Sequence, residues 1–299
     1  TEFEKGWREY WDKNNYIQLY PPALMSTPSE GGAEVFEVKY FDRKAYLAQS
    51  PQFYKQMAMA SGLEKVFMVA PVFRAEESFT TRHMTEFTGW DFEISYINDH
   101  NDIMDAEEGM IVAGFERLKE KFPELNVTVP TRPFPRITML EAKEILKKLS
   151  NSYLAVGQLS TEEHDLSPEE ERAISEYVQK EHNHEFVFIT EYHKSKSAFY
   201  HMRTEHDPDR SRRADLLYRG MEVTTLAQRE HRSEILERQA QEKGMSLEPL
   251  KDYLNFFRYG CPPHGGAGIG PARFIMKILD LPNVREATYL PRDVKRLNP

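Results

Sequence analysis

Apolar residues recur at steps of three and four over residues 2–14, where Phe3, Trp7, Tyr10 and Trp11 share one face. This spacing predicts a helix, ended by Asn14-Asn15. Tyr16 to Tyr20 reads as a strand closed by Pro21-Pro22, and residues 35–48 hold two β-rich runs around Asp42-Arg43, a hairpin pattern. Gln52 to Ser61 is helical up to Gly62, and two strands follow, Lys65–Arg74 and Phe87–Tyr96. The clearest helix is 102–122, with Ile103, Met104, Met110, Ile111, Phe115, Leu118 and Phe122 on one stripe. Leu140–Leu149 and Pro168–Lys180 are also helical, and the polar stretch 150–167 between them reads as a surface insertion. Phe186–Ile189, Ala198–Met202 and Leu216–Thr225 are β-like, with a charged loop at 205–213. Helices around 231–242 and 248–259 lead into the glycine-rich 265–270 and a last helix, 271–280. Strands come in neighbouring runs rather than in βαβ alternation, and there is no repeat or linker. The pattern predicts one α+β domain over 1–299, an antiparallel sheet flanked by helices.

Composition narrows the classes. With 299 residues, 40% of them hydrophobic and 12% aromatic, the chain can bury a core, which excludes wholesale disorder. No run approaches the ~18 apolar residues of a membrane span. The charged start, Thr1-Glu2-Phe3-Glu4-Lys5, is no signal peptide, and it lacks Met, so trimming stays open. The lone Cys261 excludes an intrachain disulfide framework and a cysteine-cluster metal site, which makes the cytoplasm the default location. Lys and Arg number 39 against 48 Asp and Glu, net −9, a balance that disfavours a broad nucleic-acid footprint. His182 and His184, flanked by Glu181 and Glu185, invite a metal reading, but a polar loop is the expectation.

Four segments carry chemistry. In the first, a strand ends at Arg74-Ala75-Glu76, a loop carries Arg82-His83, and the next strand opens at Phe87. Arginine offers a rigid fork for phosphate or carboxylate, and an aromatic can stack on a base. The second is Gly265-Gly266-Ala267-Gly268-Ile269-Gly270-Pro271-Ala272-Arg273, whose glycines permit close backbone approach; alone it also fits a tight turn. The third runs from Arg219 to Arg229, where Glu222 and Thr225 are hard oxygen donors of the kind Mg²⁺ prefers, and Arg229 is a candidate carboxylate clamp. The fourth joins Glu30, beside Gly31-Gly32, to Ser50, Gln52 and Lys55; the last two share a helix face. That set suits a zwitterionic acidic amino acid. Each segment alone also fits a solvated charged edge or a plain turn.

Taken in this order, the four segments resemble the catalytic core of class II aminoacyl-tRNA synthetases, and within them the aspartyl/asparaginyl subgroup. Tyr16–Pro22 is similar to the end of motif 1, Arg74, Glu76, His83 and Phe87 to motif 2, and Gly268, Gly270 and Arg273 to motif 3. SEGGAEVFEVKYF, AYLAQSPQFYKQ, YGCPPHGG and REATYLPRD extend the likeness over the whole chain. The resemblance implies that Arg74, Glu222 and Arg273 are catalytic, Arg74 bridging the substrate carboxylate and the ATP α-phosphate. It implies an ATP site of Arg74, Glu76, Arg82, His83, Met84, Phe87, Glu222, Gly268, Gly270 and Arg273, with Mg²⁺ on Glu222 and Thr225. It implies an aspartate site of Glu30, Ser50, Gln52, Lys55, Asp91 and Arg229. Lys55 favours aspartate, because asparaginyl enzymes are expected to lack it.

Departures shape the expected function. The chain opens just ahead of motif 1 and leaves no room for an anticodon-binding barrel. Leu226 stands where aspartyl enzymes usually have glycine, and Ala272 where motif 3 usually has glutamate. Stand-alone relatives of this core that make asparagine from aspartate and ammonia fit those features. The expectation is therefore a homodimeric, ammonia-dependent, AMP-forming asparagine synthetase with no tRNA partner. Leu226 is the candidate for turning the aspartate round. The alternative is the catalytic core of an aspartyl-tRNA synthetase.

Overall fold

A computed structural model describes residues 1–28, 34–151 and 160–298. Along the chain, α1 (Glu2–Lys13) precedes β1 (Ile17–Leu19), β2 (Leu24–Met25), the hairpin β3 (Glu37–Tyr40) and β4 (Arg43–Leu47), and α2 (Gln52–Ala60). Then come β5 (Lys65–Phe73), β6 (Glu86–Ser95), α3 (His100–Lys121), β7 (Arg136–Thr138), α4 (Met139–Asn151) and α5 (Pro168–His182). The rest is β8 (Phe186–Thr190), β9 (Arg213–Tyr218), β10 (Met221–Gln228), α6 (Ser233–Glu242), α7 (Lys251–Arg258), β11 (His264–Ile269) and α8 (Pro271–Ile278). None of the described helices is long and apolar enough to cross a membrane.

The described chain divides into two compact units, Thr1–Asn14 with Asn98–Gln228, and Asn15–Ile97 with Arg229–Pro299. In the first, β10, β9 and β8 pair antiparallel, and β7 joins β8 parallel. One face of these strands carries Phe186 and Tyr218, which pack on Phe115 of α3; Phe3 of α1 meets Phe115 edge-on at 5.4 Å. The other face carries Val187, Ile189 and Leu217 against α4 and α5. Ser167 caps α5 with a full capping box, and Leu166 beside it is buried in this cluster. The end of the expected surface insertion is thus core; residues 152–159 of it lie outside the described residues.

In the second unit, β5 and β6 form a long antiparallel pair, β11 joins β6 antiparallel, and β1 joins β5 parallel. Gln52, Lys55, Gln56 and Met59 are the buried face of α2, spaced as a helix stripe should be.

Two expectations need correction. The glycine run is a buried strand, β11, rather than a turn. Ala198–Met202 forms no strand; it is an irregular segment that still buries Phe199 and Tyr200. The expected antiparallel sheet is observed at the centre of each unit, with the outer pairs β1–β5 and β7–β8 parallel.

Candidate active site

Alternation along β6 puts Phe87, Gly89, Asp91 and Glu93 on one face. The register sets Gly268 of β11 opposite Asp91 and Gly266 opposite Glu93, so the neighbouring strand leaves the space over both carboxylates open. Into that space α2 delivers Lys55, only 1% exposed. Its ammonium donates to Asp91 Oδ2 (2.8 Å) and to the Ala267 carbonyl (3.0 Å), and lies 3.4 Å from Glu93 Oε2. Arg229, equally buried, donates from Nε and Nη2 to the two Glu93 oxygens and from Nη2 to the Gly266 carbonyl. Burial alone would push the Glu93 carboxyl up; the adjoining Arg229 and Lys55 charges reverse this and hold it below its ordinary value. The result is a neutral, buried quartet of two cations and two anions. Buried charges persist only when paired in this way.

Gln52, at the start of α2, donates to Gln56 Oε1 at 2.9 Å, and its backbone N–H reaches Ser50 Oγ at 3.4 Å. Ser50, Gln52, Lys55, Asp91, Arg229 and Gly268 are thus brought together in the second unit. Glu30 lies outside the described residues. Glu93 is the member that sequence reading omitted, although its two-residue offset from Asp91 was the signal for it.

The ends of β5 and β6 carry the motif 2-like residues. Arg74 N–H donates to the Thr85 carbonyl (2.9 Å), closing the loop between them. The Arg74 guanidinium lies over the Phe87 ring at 5.6 Å and 3.8 Å from Glu76. His83 lies 3.9 Å from Glu76 through Nε2, and its Nδ1 is 2.6 Å from Thr80 Oγ1. Met84 is buried, while Arg82, on the same loop, is half-buried. The C-terminal segment holds this loop: Arg285 donates to the Thr80 carbonyl and Val284 N–H to that of Thr81. Arg273 is in the first turn of α8, whose N-cap is Gly270.

Glu222 and Thr225 belong to the first unit. Three apart on a straight strand, they would face opposite ways. A bulge between Glu222 and Thr224 adds a residue, and the register then pairs Glu222 with Leu217 and Thr225 with Asp215, two apart on β9. Glu222, Thr225 and Asp215 therefore share one face. Burial pushes the Asp215 carboxyl up; Arg213, bonded to both its oxygens, pulls it down, Glu222 pushes it up again, and the net shift is upward. Two repelling carboxylates and a hydroxyl are hard donors that a divalent cation would relieve, so the set fits Mg²⁺. Asp215 was hidden in the sequence behind the charged run 205–213. Among the described residues no three His, Cys, Asp or Glu gather as a metal cluster. The metal reading of His182 and His184 is not supported: both ring nitrogens of His184 bond backbone carbonyls or amides of Phe186 and Thr131.

Leu226, the expected cause of a turned aspartate, does not share the face of Glu222, Thr225 and Asp215. It pairs with Ala214, fully buried, on the face opposite Thr225 and Asp215. It packs into the core beneath the strand and takes no space beside those three residues.

The family described as tRNA synthetases class II (D, K and N) matches residues 1–294. An aspartate–tRNA(Asp) ligase of Pyrococcus furiosus is 41% identical over 98% of this chain, which spans 66% of that relative's length. An aspartate–tRNA(Asp/Asn) ligase of Aeropyrum pernix is 42% identical over 99% of the chain and 67% of its own length. The solved asparaginyl-tRNA synthetase of Pyrococcus horikoshii, complexed with asparaginyl-adenylate, superposes with a TM-score of 0.88 at 34% identity, covering 100% of this chain and 68% of that one.

Proposed function

The chain belongs to the class II tRNA synthetases of the D, K and N type, and from that premise we propose that it activates aspartate with ATP, forming aspartyl-adenylate and pyrophosphate, and passes the aspartyl group to tRNA. The observation that carries the substrate is the buried Lys55–Asp91–Glu93–Arg229 quartet. Two buried cations, Lys55 and Arg229, offer charged donors to the side-chain carboxylate of aspartate, and the neutral amide of asparagine would gain less from them. All three Lys55 N–H bonds have acceptors within reach, so the incoming carboxylate replaces one of them. Gln52, Ser50 and Asp91 receive the ammonium, joined by Glu30.

In this reading Arg74 neutralises the α-phosphate and aligns the attacking α-carboxylate, the positioning and charge stabilisation that dominate such chemistry. Glu76 and Phe87 hold the adenine, Arg82, His83 and Arg273 meet the outer phosphates, and Met84, Gly268 and Gly270 shape the ATP site. Asp215, Glu222 and Thr225 would hold Mg²⁺, which supplies charge neutralisation on the phosphates when bound.

The ammonia-dependent reading drew on Leu226, which faces the core, on Ala272 and on the lack of room for an anticodon-binding barrel. The named relatives act on tRNA, which reverses the expectation that tRNA is no partner. Labelled aspartate, ATP and either tRNA(Asp) or ammonium separate the acceptors. We expect aspartate-dependent ATP–pyrophosphate exchange and label on tRNA. Asparagine from ammonium without tRNA charging would overturn the acceptor; no exchange with aspartate would overturn the substrate.

A further inference from the structure

His264 opens β11 inside the second unit and is fully buried. Its Nδ1 lies 2.9 Å from the Pro262 carbonyl, which can only accept, so Nδ1 carries the proton. Burial holds this imidazole neutral, its pKa lowered to about 4, which leaves Nε2 a bare acceptor. Gln56 faces it with Nε2 at 3.4 Å, so that end of the Gln56 amide is the donor. The Gln56 oxygen then receives Tyr253 Oη–H at 3.1 Å and Gln52 Nε2–H at 2.9 Å. Each amide could be turned over in isolation; here the acceptor-only carbonyl at one end dictates the polarity of every later link. Gln52 spends its nitrogen on Gln56, and its Oε1 receives no hydrogen bond from any described residue.

We propose that His264, Gln56 and Tyr253 are positioning residues that hold the Gln52 amide with its oxygen towards the substrate, making it an acceptor for an ammonium group. The inference deepens the aspartate reading and rests on it. A reversed amide would point N–H at the ammonium and repel it. The relay thus selects an amino acid over a dicarboxylate of the same shape without the amine.

The test compares wild type, Gln56→Met and the milder Tyr253→Phe in ATP–pyrophosphate exchange, with succinate as a competitive inhibitor lacking the amine. A hydrogen bond to a charged group is at stake, so KM for aspartate should rise about tenfold in Gln56→Met. Tyr253→Phe should move it the same way and less. KM for ATP and the inhibition constant of succinate should stay within about twofold. Equal weakening of aspartate and succinate, or no change in either, overturns the relay. Histidine ¹⁵N NMR of the ligand-free protein gives a readout independent of substrate. It should find His264 neutral with the proton on Nδ1; a proton on Nε2 breaks the relay even if the wild type proves to use another amino acid. Wild type without aspartate-dependent exchange, but with the Nδ1 tautomer, overturns the aspartate reading alone.

Discussion

His264 also makes the stability of the protein depend on pH. Its pKa is lowered by burial from 6.5 to about 4, so below 6.5 the unfolded chain binds a proton that the folded one refuses. Stability therefore rises with pH across this window and is lost as pH falls from 6.5 towards 4. The gap corresponds to about 3 kcal/mol. Urea denaturation at pH 7 and pH 4.5 should show wild type losing more stability than His264→Gln, by about 2 to 3 kcal/mol; equal losses would place the charge elsewhere. Cys261, 3.5 Å from His264, has its thiol pushed up to about 12 by burial and nearby Glu93, so it is no thiolate nucleophile at neutral pH. At this scale the sequence exposes residues whose type announces chemistry on a recognisable strand or helix, such as Arg74, Lys55 and Asp91. It hides partners whose role depends on pairing across strands. Glu93 is visible only once the two-residue period of β6 is trusted, and Asp215 only once the bulge in β10 is known.

The approach of β11 to β6 shows why an element can be illegible while its residues are plain. A glycine run lacks the alternating apolar side chains that announce a strand, and so reads as a turn. Yet the glycines are there because strand and site leave no room. A Cβ on Gly266 would meet the Phe92 carbonyl oxygen at 2.0 Å and Glu93 Oε2 at 2.3 Å, while one on Gly268 would meet Asp91 Oδ2 at 3.4 Å. The first contact is with backbone, which cannot step aside. Gly266→Ala should therefore destabilise the protein by about 3 kcal/mol or more, and Gly268→Ala by under about 1 kcal/mol. Chemical denaturation of the two variants side by side checks this; equal stabilities would mean the strands can separate at no cost. Long periodic helices such as α3 and the paired strands β5 and β6 were readable from pattern alone. The three-residue β7 was not, because its place is decided by pairing with β8 rather than by its own residues.

For the whole molecule, the order of motifs carried the family, since no single segment was specific and their sequence was. The acceptor of the aspartyl group was not legible, because the departures that bear on it, Leu226 and Ala272, do not by themselves say which nucleophile attacks. One further property belongs to the sheet edge. Among the described residues β1 is the end strand of its sheet, paired with β5. Ile17 is 47% exposed and Tyr20, just beyond the strand, 81%, with Leu24 exposed after Pro21-Pro22. An apolar edge of this kind is a contact surface unless something blocks it, and neither a charged residue nor a bulge does so within Ile17–Leu19. We expect the 35.0 kDa chain to pair with a second copy about a two-fold axis through this edge. Sedimentation at low micromolar concentration should find a dimer. Ile17→Lys with Tyr20→Glu, which charge the edge without touching the Lys55–Arg229 quartet, should shift it towards monomer. A wild type that sediments as a stable monomer, or a charged variant that dimerises as well as wild type, would show that the edge is not the contact.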